Sequence, residues 1–223
     1  MARRNVFVAG GTGYIGRAVL PLLASRGHRI RALVRPGSEG RLPTGCEPVP
    51  GDALRGETFS SRVAPSDTFL QLVGVAHPSP SKAALFRSVD LASATTSAAA
   101  AAAARVAHFV YVSVAHPAPA MRPYWEARAE AEDHIARLGL AATILRPWYV
   151  LGPGHLWPHL LRPAYWFAER LPATRETARR LGLVTLAQMA GAIVRAIEAP
   201  APAGIRLVEV PEIRAALPLP PPS

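Results

Sequence analysis

With 223 residues, half of them apolar, the chain has material for one domain with a substantial core. Its net charge of +10 comes from scattered arginines beside a single lysine, Lys82, and no nucleic-acid motif accompanies it. The excess therefore reads as a solvated basic surface and argues against a nucleic-acid partner. One cysteine, Cys46, excludes an internal disulfide framework and fits a cytoplasmic setting. No uninterrupted apolar run reaches the roughly 18 residues of a membrane span.

The first element in the chain organises the rest. Asn5–Ala9 is a short apolar run that predicts a strand, a glycine cluster follows, and Tyr14 to about Arg26 predicts a helix stopped by Gly27. The glycines fit two registers, G-x-x-G-x-x-G from Gly10 and G-x-G-x-x-G from Gly11. Glycine at these points permits a sharp turn, close approach of a ligand to the backbone and tight packing of the helix start on the strand. The unpaired N–H groups of that helix start then face an anion, and the helix dipole adds to the attraction. Strand before and helix after are the context such a loop needs to cradle a dinucleotide pyrophosphate.

Arg29–Arg35 predicts the second strand and completes a βαβ unit. An NAD site places an acid near its end for the ribose 2′-hydroxyl, whereas a 2′-phosphate wants a cation. No acid stands between Gly16 and Arg35, so NADP(H) is expected over NAD(H), with Arg35 on the extra phosphate and Arg31 and Arg41 nearby. Further strands are expected at 47–52, 68–74, 108–113, 141–145 and 205–210. Helices are expected at 82–106, which contains seven alanines in a row, at 124–138 and at 185–198. Strands alternating with helices predict an α/β fold, a doubly wound parallel sheet of Rossmann type. The aromatic, proline-punctuated stretch 153–182 reads as a lid over the site or as core filling. The proline-rich 217–223 reads as a disordered tail.

A second constellation follows the fifth strand. Ser113 stands at its end, and Tyr124 and Arg128 sit one helical turn apart on one face. A cation beside a phenol stabilises phenolate and lowers its pKa, which suits a tyrosine to acid/base work. The serine hydroxyl would hold a carbonyl or a hydroxyl of the substrate.

Taken together, Gly10-Gly11-Thr12-Gly13-Tyr14-Ile15-Gly16, Gly51-Asp52, Val110–Ser113, Tyr124-x-x-x-Arg128 and Leu145–Pro153 resemble the successive signatures of atypical short-chain dehydrogenase/reductases, above all their NmrA-like and epimerase-like NAD(P)H-binding members. The resemblance covers about residues 5 to 155. It implies Asp52 near the adenine, Val73 and Gly74 flanking the adenosine, and Pro147, Trp148, Tyr149 and Val150 lining the nicotinamide end. It implies no metal. One departure stands out: the family's active members carry lysine where this chain has Arg128, and arginine is effectively never deprotonated. Two readings stay open. One is an NADP(H)-dependent oxidoreductase acting on a small carbonyl or hydroxyl compound. The other is a non-catalytic NADP(H) binder that senses redox state or engages a protein partner.

Overall fold

The computed structural model describes residues 3–118, 120–153 and 181–216. Strand β1 (Asn5–Ala9) buries Val6, Phe7, Val8 and Ala9 completely, because both faces of its sheet are covered. After it come α1 (Tyr14–Ser25), β2 (Arg29–Val34), β3 (Cys46–Pro50) and β4 (Thr68–Gln71). A short helix α2 (Ala83–Leu85) leads through a π turn at Phe86–Leu91 into α3 (Ala92–Ala103). Then follow β5 (His108–Val112), α4 (Arg122–Arg137), β6 (Ala142–Arg146) and β7 (Tyr149–Leu151). The described chain closes with β8 (Leu183–Thr185), α5 (Leu186–Glu198), β9 (Ile205–Glu209) and α6 (Val210–Arg214).

Seven of these strands form one parallel sheet in the order β3-β2-β1-β4-β5-β6-β9. Strand order reverses between β1 and β4, so the carboxyl ends of those two strands flank the crevice where a doubly wound sheet takes its ligand. On one face α1 and α5 pack over Val6, Val8, Leu70 and Val110. On the other, Phe7, Phe69 and Phe109 form a ring ladder with centroids 5.2 and 5.4 Å apart. The alanines of α3 settle against this ladder, with Ala98 and Ala101 fully buried, so small side chains bring the helix close to bulky strand residues. The Rossmann architecture expected from the alternation of elements is the architecture present.

Several details differ from the sequence expectation. The helix expected at 82–106 is broken, since a 3-10 turn at Pro80–Lys82, α2 and the π turn precede α3. The π turn faces both Phe86 and Asp90 inward, each at 0% exposure. Strand β4 stops at Gln71 because the next residues bend over Gly10 at the crevice. The last strand ends at Glu209, where a reciprocal cap between Glu209 and Glu212 starts α6. Strands β7 and β8 pair in parallel as a separate ribbon that was not expected. Most of the expected lid (154–180) and the expected tail (217–223) lie outside the described residues.

At the far end of the sheet, His108 is 2% exposed and its Nε2 lies 2.9 Å from Thr143 Oγ1. Burial, then the charges of Arg206 and Arg4, push its pKa down to about 4 against a smaller opposing pull from Asp67. The folded state therefore holds the neutral ring while the unfolded chain takes up a proton near pH 6.5, so stability rises with pH across this window. Stability should fall as pH drops from 6.5 towards 4, with His108 contributing up to about 3 kcal/mol. Chemical denaturation of His108→Gln at several pH values should give a flatter dependence there, and an unchanged slope would reject the assignment.

Candidate functional site

Gly10 adopts φ +90°, a conformation side chains resist, and a Cβ there would lie 2.8 Å from the backbone of Leu72 and Val73. A Cβ on Gly16 would overlap the Gly11 carbonyl oxygen and stand 2.6 Å from that of Gly10. Gly13 begins α1 with extended backbone. No side chain caps the helix, and no acid occupies its first turn. The first N–H groups of α1 are thus left to an outside acceptor. Gly10, Gly13 and Gly16 border the crevice, whereas Gly11 is buried against Leu20, so the register counted from Gly10 is the one that faces the ligand space. This bare loop and uncapped helix start fit a pyrophosphate.

From the loop a cavity of about 310 Å³ runs past Leu72 and Gly74 to Ser113, Tyr124 and Arg128. Its far wall is Pro147, Trp148, Tyr149 and Val150, and Tyr14 and Ile15 stand at the loop end. Thr12, Arg35, Asp52 and Val73 lie off this wall. Val73 packs into the phenylalanine core. Asp52 follows β3, where its Oδ1 accepts from the Leu54 N–H at 3.0 Å. Arg35 is exposed just past β2. Arg31, on the same strand, is committed elsewhere: it donates to the carbonyls of Arg62 (2.7 Å) and Ala64 (3.0 Å) and covers the Phe7 ring.

At the other end of the cavity, α4 aligns Tyr124, Arg128 and Glu132 along one side. Arg128 is 6% exposed and Asp90, facing it from the π turn, is fully buried. The guanidinium Nη2 donates to Asp90 Oδ1, while Nη1 donates to the Val112 carbonyl (2.7 Å) and to the Tyr111 hydroxyl (3.4 Å). Gly74 makes room for this pair, since a Cβ there would overlap Nη2. Sequence reading assigned Gly74 no such part. Arg128 also lies over the Tyr124 ring, 5.3 Å from its centroid, with Phe86 packed on the same ring.

The expected lowering of the Tyr124 pKa by this cation is overturned. Burial raises it more than Arg128 lowers it, and Asp90 adds to the rise. Tyr124 is therefore a phenol, a proton donor, at neutral pH. Burial likewise pushes Tyr111 up to about 12, against the pull of Arg128.

Ser113 is 3% exposed, and its hydroxyl donates to Glu132 Oε1 at 2.5 Å. The same carboxylate receives Arg146 Nε and Nη2 and lies 3.2 Å from His116 Nε2. Burial raises the Glu132 pKa, but the hydrogen bonds from His116, Arg146 and Ser113 outweigh it and hold the group ionised. Sequence reasoning missed Glu132 and Asp90. Glu132 was within reach as the third member of the Tyr124, Arg128, Glu132 stripe at four-residue spacing. Asp90 gave no local signal, because only the π turn faces it inward. The cavity-lining residues Ala76 and His77 are fastened by Lys82, whose Nζ donates to both carbonyls at 2.6 and 3.0 Å. Among the described residues no helix is long and apolar enough to cross a membrane, and no cluster of metal-ligating side chains occurs.

Residues 10–154 match the model of a family described as NAD(P)H-binding. The fold resembles that of the Bordetella bronchiseptica enzyme WbmH in complex with NAD+ (TM-score 0.68, 19% identity, 92% of this chain and 75% of that one). It also resembles Thermus thermophilus UDP-glucose 4-epimerase in complex with NAD (TM-score 0.65, 18% identity, 95% and 81%). By sequence, a ketoreductase of 4-hydroxy-2-methyl-3-oxo-4-farnesyl-3,4-dihydroquinoline-1-oxide from Stigmatella aurantiaca is 29% identical over 66% of this chain and 51% of its own length. A ceramide reductase from Caulobacter vibrioides is 27% identical over 69% and 48%. The chain spans about half the length of these curated relatives. It belongs to the NAD(P)H-binding family and has a Rossmann fold. That membership agrees with the resemblance to NAD(P)H-binding dehydrogenase/reductases read from the motifs.

Two substitutions probe the two ends of the cavity. Gly16→Ala forces a methyl group into the backbone of the loop and should weaken NADPH binding at least about tenfold, read by quenching of protein fluorescence. Asp90→Asn leaves the Arg128 charge buried without its counter-ion and should lower stability by about 3 kcal/mol or more in urea denaturation. Wild-type values in either variant would contradict the geometry.

Proposed function

We propose that the chain is an NADP(H)-dependent reductase of a small carbonyl compound, with Tyr124 as the proton donor. The observation that carries this reading is the Tyr124 phenol on the cavity wall, held between Phe86 and the Arg128 guanidinium, with burial favouring its protonated form. A phenol in that state can give a proton to the oxygen of a carbonyl under reduction, and the nearby fixed cation favours the phenolate left behind. The bound cofactor would supply the hydride, while the protein supplies binding, orientation and polarity. Gly10, Gly13, Tyr14, Ile15 and Gly16 would hold the pyrophosphate. Pro147, Trp148, Tyr149 and Val150 would enclose the nicotinamide end, and Asp52 would lie towards the adenine. Arg35, with no acid between it and the glycine loop, supports a 2′-phosphate and hence NADP(H). That the curated relatives are named as reductases supports the direction of the reaction.

One observation favours the second reading, a cofactor-binding protein without turnover. Arg128 is tied to Asp90 and Val112 and cannot relay protons as a lysine might. Measuring NADPH oxidation with a panel of ketones separates the two. Tyr124→Phe should lower kcat about a hundredfold or more with NADPH affinity retained. Because burial holds the Tyr124 pKa above the usual phenol range, the rate of reduction should stay level from neutral through mildly alkaline pH, and a fall there would contradict the assignment. Tight NADPH binding without turnover of any ketone would support the second reading. Arg35→Asp should cut the preference for NADPH over NADH by about tenfold or more, in an equilibrium titration of both nucleotides. An unchanged preference would reject the assignment of Arg35.

A further inference from the structure

We infer that Ser113 faces substrate as a hydrogen-bond acceptor only, and that the site therefore selects carbonyl compounds bearing a hydroxyl next to the carbonyl. The inference rests on the reductase reading above and names its substrate class. It starts from the single proton of a serine hydroxyl. That proton is given to Glu132 Oε1 at 2.5 Å, in a pair where Ser113 is 3% and Glu132 7% exposed. Glu132 cannot release it by becoming a donor itself. Arg146 and His116 surround the carboxylate, and their hydrogen bonds keep it ionised. A hydroxyl locked to a charged, buried acceptor keeps only lone pairs for a ligand.

Ser113 nevertheless stands on the cavity wall with Tyr124 and Arg128. It cannot donate to the oxygen of a ketone. It can accept from an O–H, and a ligand that brings no donor would leave a buried acceptor unpaired. Tyr124 then donates to the carbonyl oxygen, and Ser113 reads the neighbouring carbon. Glu132, which touches no substrate, acts as a positioning residue by fixing which way the serine proton points. Val75, Pro78, Val112, Met121 and Trp148 give the cavity an apolar lining beside them, and His77 and Tyr149 stand further along its wall.

The test compares α-hydroxyacetophenone, α-methoxyacetophenone and acetophenone. Equilibrium binding is measured by calorimetry on the NADP-loaded protein, and kcat/KM is measured with NADPH. The wild-type chain should bind and reduce the hydroxyketone about tenfold or more better than its methyl ether, the loss expected when a built polar site goes unpaired. Ser113→Ala should collapse that ratio towards one, and Ser113→Thr, which keeps a hydroxyl, should restore it. Circular dichroism checks the fold of both variants, and the wild-type ratio decides the matter even if neither folds. A wild-type ratio near one, or an equal loss for all three ketones in Ser113→Ala, would mean that Ser113 serves the carbonyl as a donor, and would overturn the inference. Failure to bind the hydroxyketone would overturn it too. Binding with Ser113-dependent selectivity but no oxidation of NADPH would uphold the acceptor role and sink the reductase reading alone.

Discussion

The ion pair between Arg128 and Asp90 ties the Tyr124 end of the cavity together. It joins α4 to the π turn, and through the Val112 carbonyl it joins α4 to the carboxyl end of β5. Both charges are withdrawn from water, and a charge so placed destabilises the fold by several kcal/mol if its partner is lost. Three local features follow from accommodating it. The helix before α3 must open into a π turn so that Asp90 faces inward. Residue 74 must lack a side chain so that Nη2 has space. Tyr124 must lie flat beneath the guanidinium, which sets where its hydroxyl can be.

The opposite end of the cavity works by subtraction. Gly10, Gly13 and Gly16 remove side chains from the loop, and α1 begins with no cap and no acidic residue. What remains is backbone N–H and a helix dipole, which suit a pyrophosphate regardless of what lies further along. The two ends are therefore separable in function. On the proposed reading, nucleotide binding rests on backbone geometry near residue 13, and chemistry on a polar cluster buried across α4, β5 and the π turn. A substitution such as arginine for lysine at position 128 can alter the second without touching the first.

Much of the fold was legible because the inner strands are rich in buried apolar residues and helices end at turn residues. Gly27 and Gly139, both at positive φ, close α1 and α4 where the sequence placed the stops. The glycine loop was legible for a similar reason, since its chemistry is local. Ser113, Tyr124 and Arg128 were found by spacing, and the cavity brings them together. Their state was not legible. Proximity of Arg128 to Tyr124 argued for a lowered pKa, but the burial that reverses it depends on Phe86 and on the depth of the cavity. Asp90 and the donation from Ser113 to Glu132 join residues 38 and 19 positions apart, and no local pattern announces either. Arg31, read as a nearby cation on the strand of Arg35, turns to the Phe7 face and is spent on carbonyls of the 62–64 loop.

The central claim is that the uncapped start of α1 and the Tyr124 wall are two ends of one nucleotide site. A crystal structure of the chain grown with NADPH tests it most directly. The account predicts pyrophosphate oxygens on the N–H groups at the start of α1, and the nicotinamide ring between Tyr124 and the wall formed by residues 147–150. Nucleotide bound elsewhere on the protein, or a cradle filled by neighbouring side chains with NADPH absent, would contradict it.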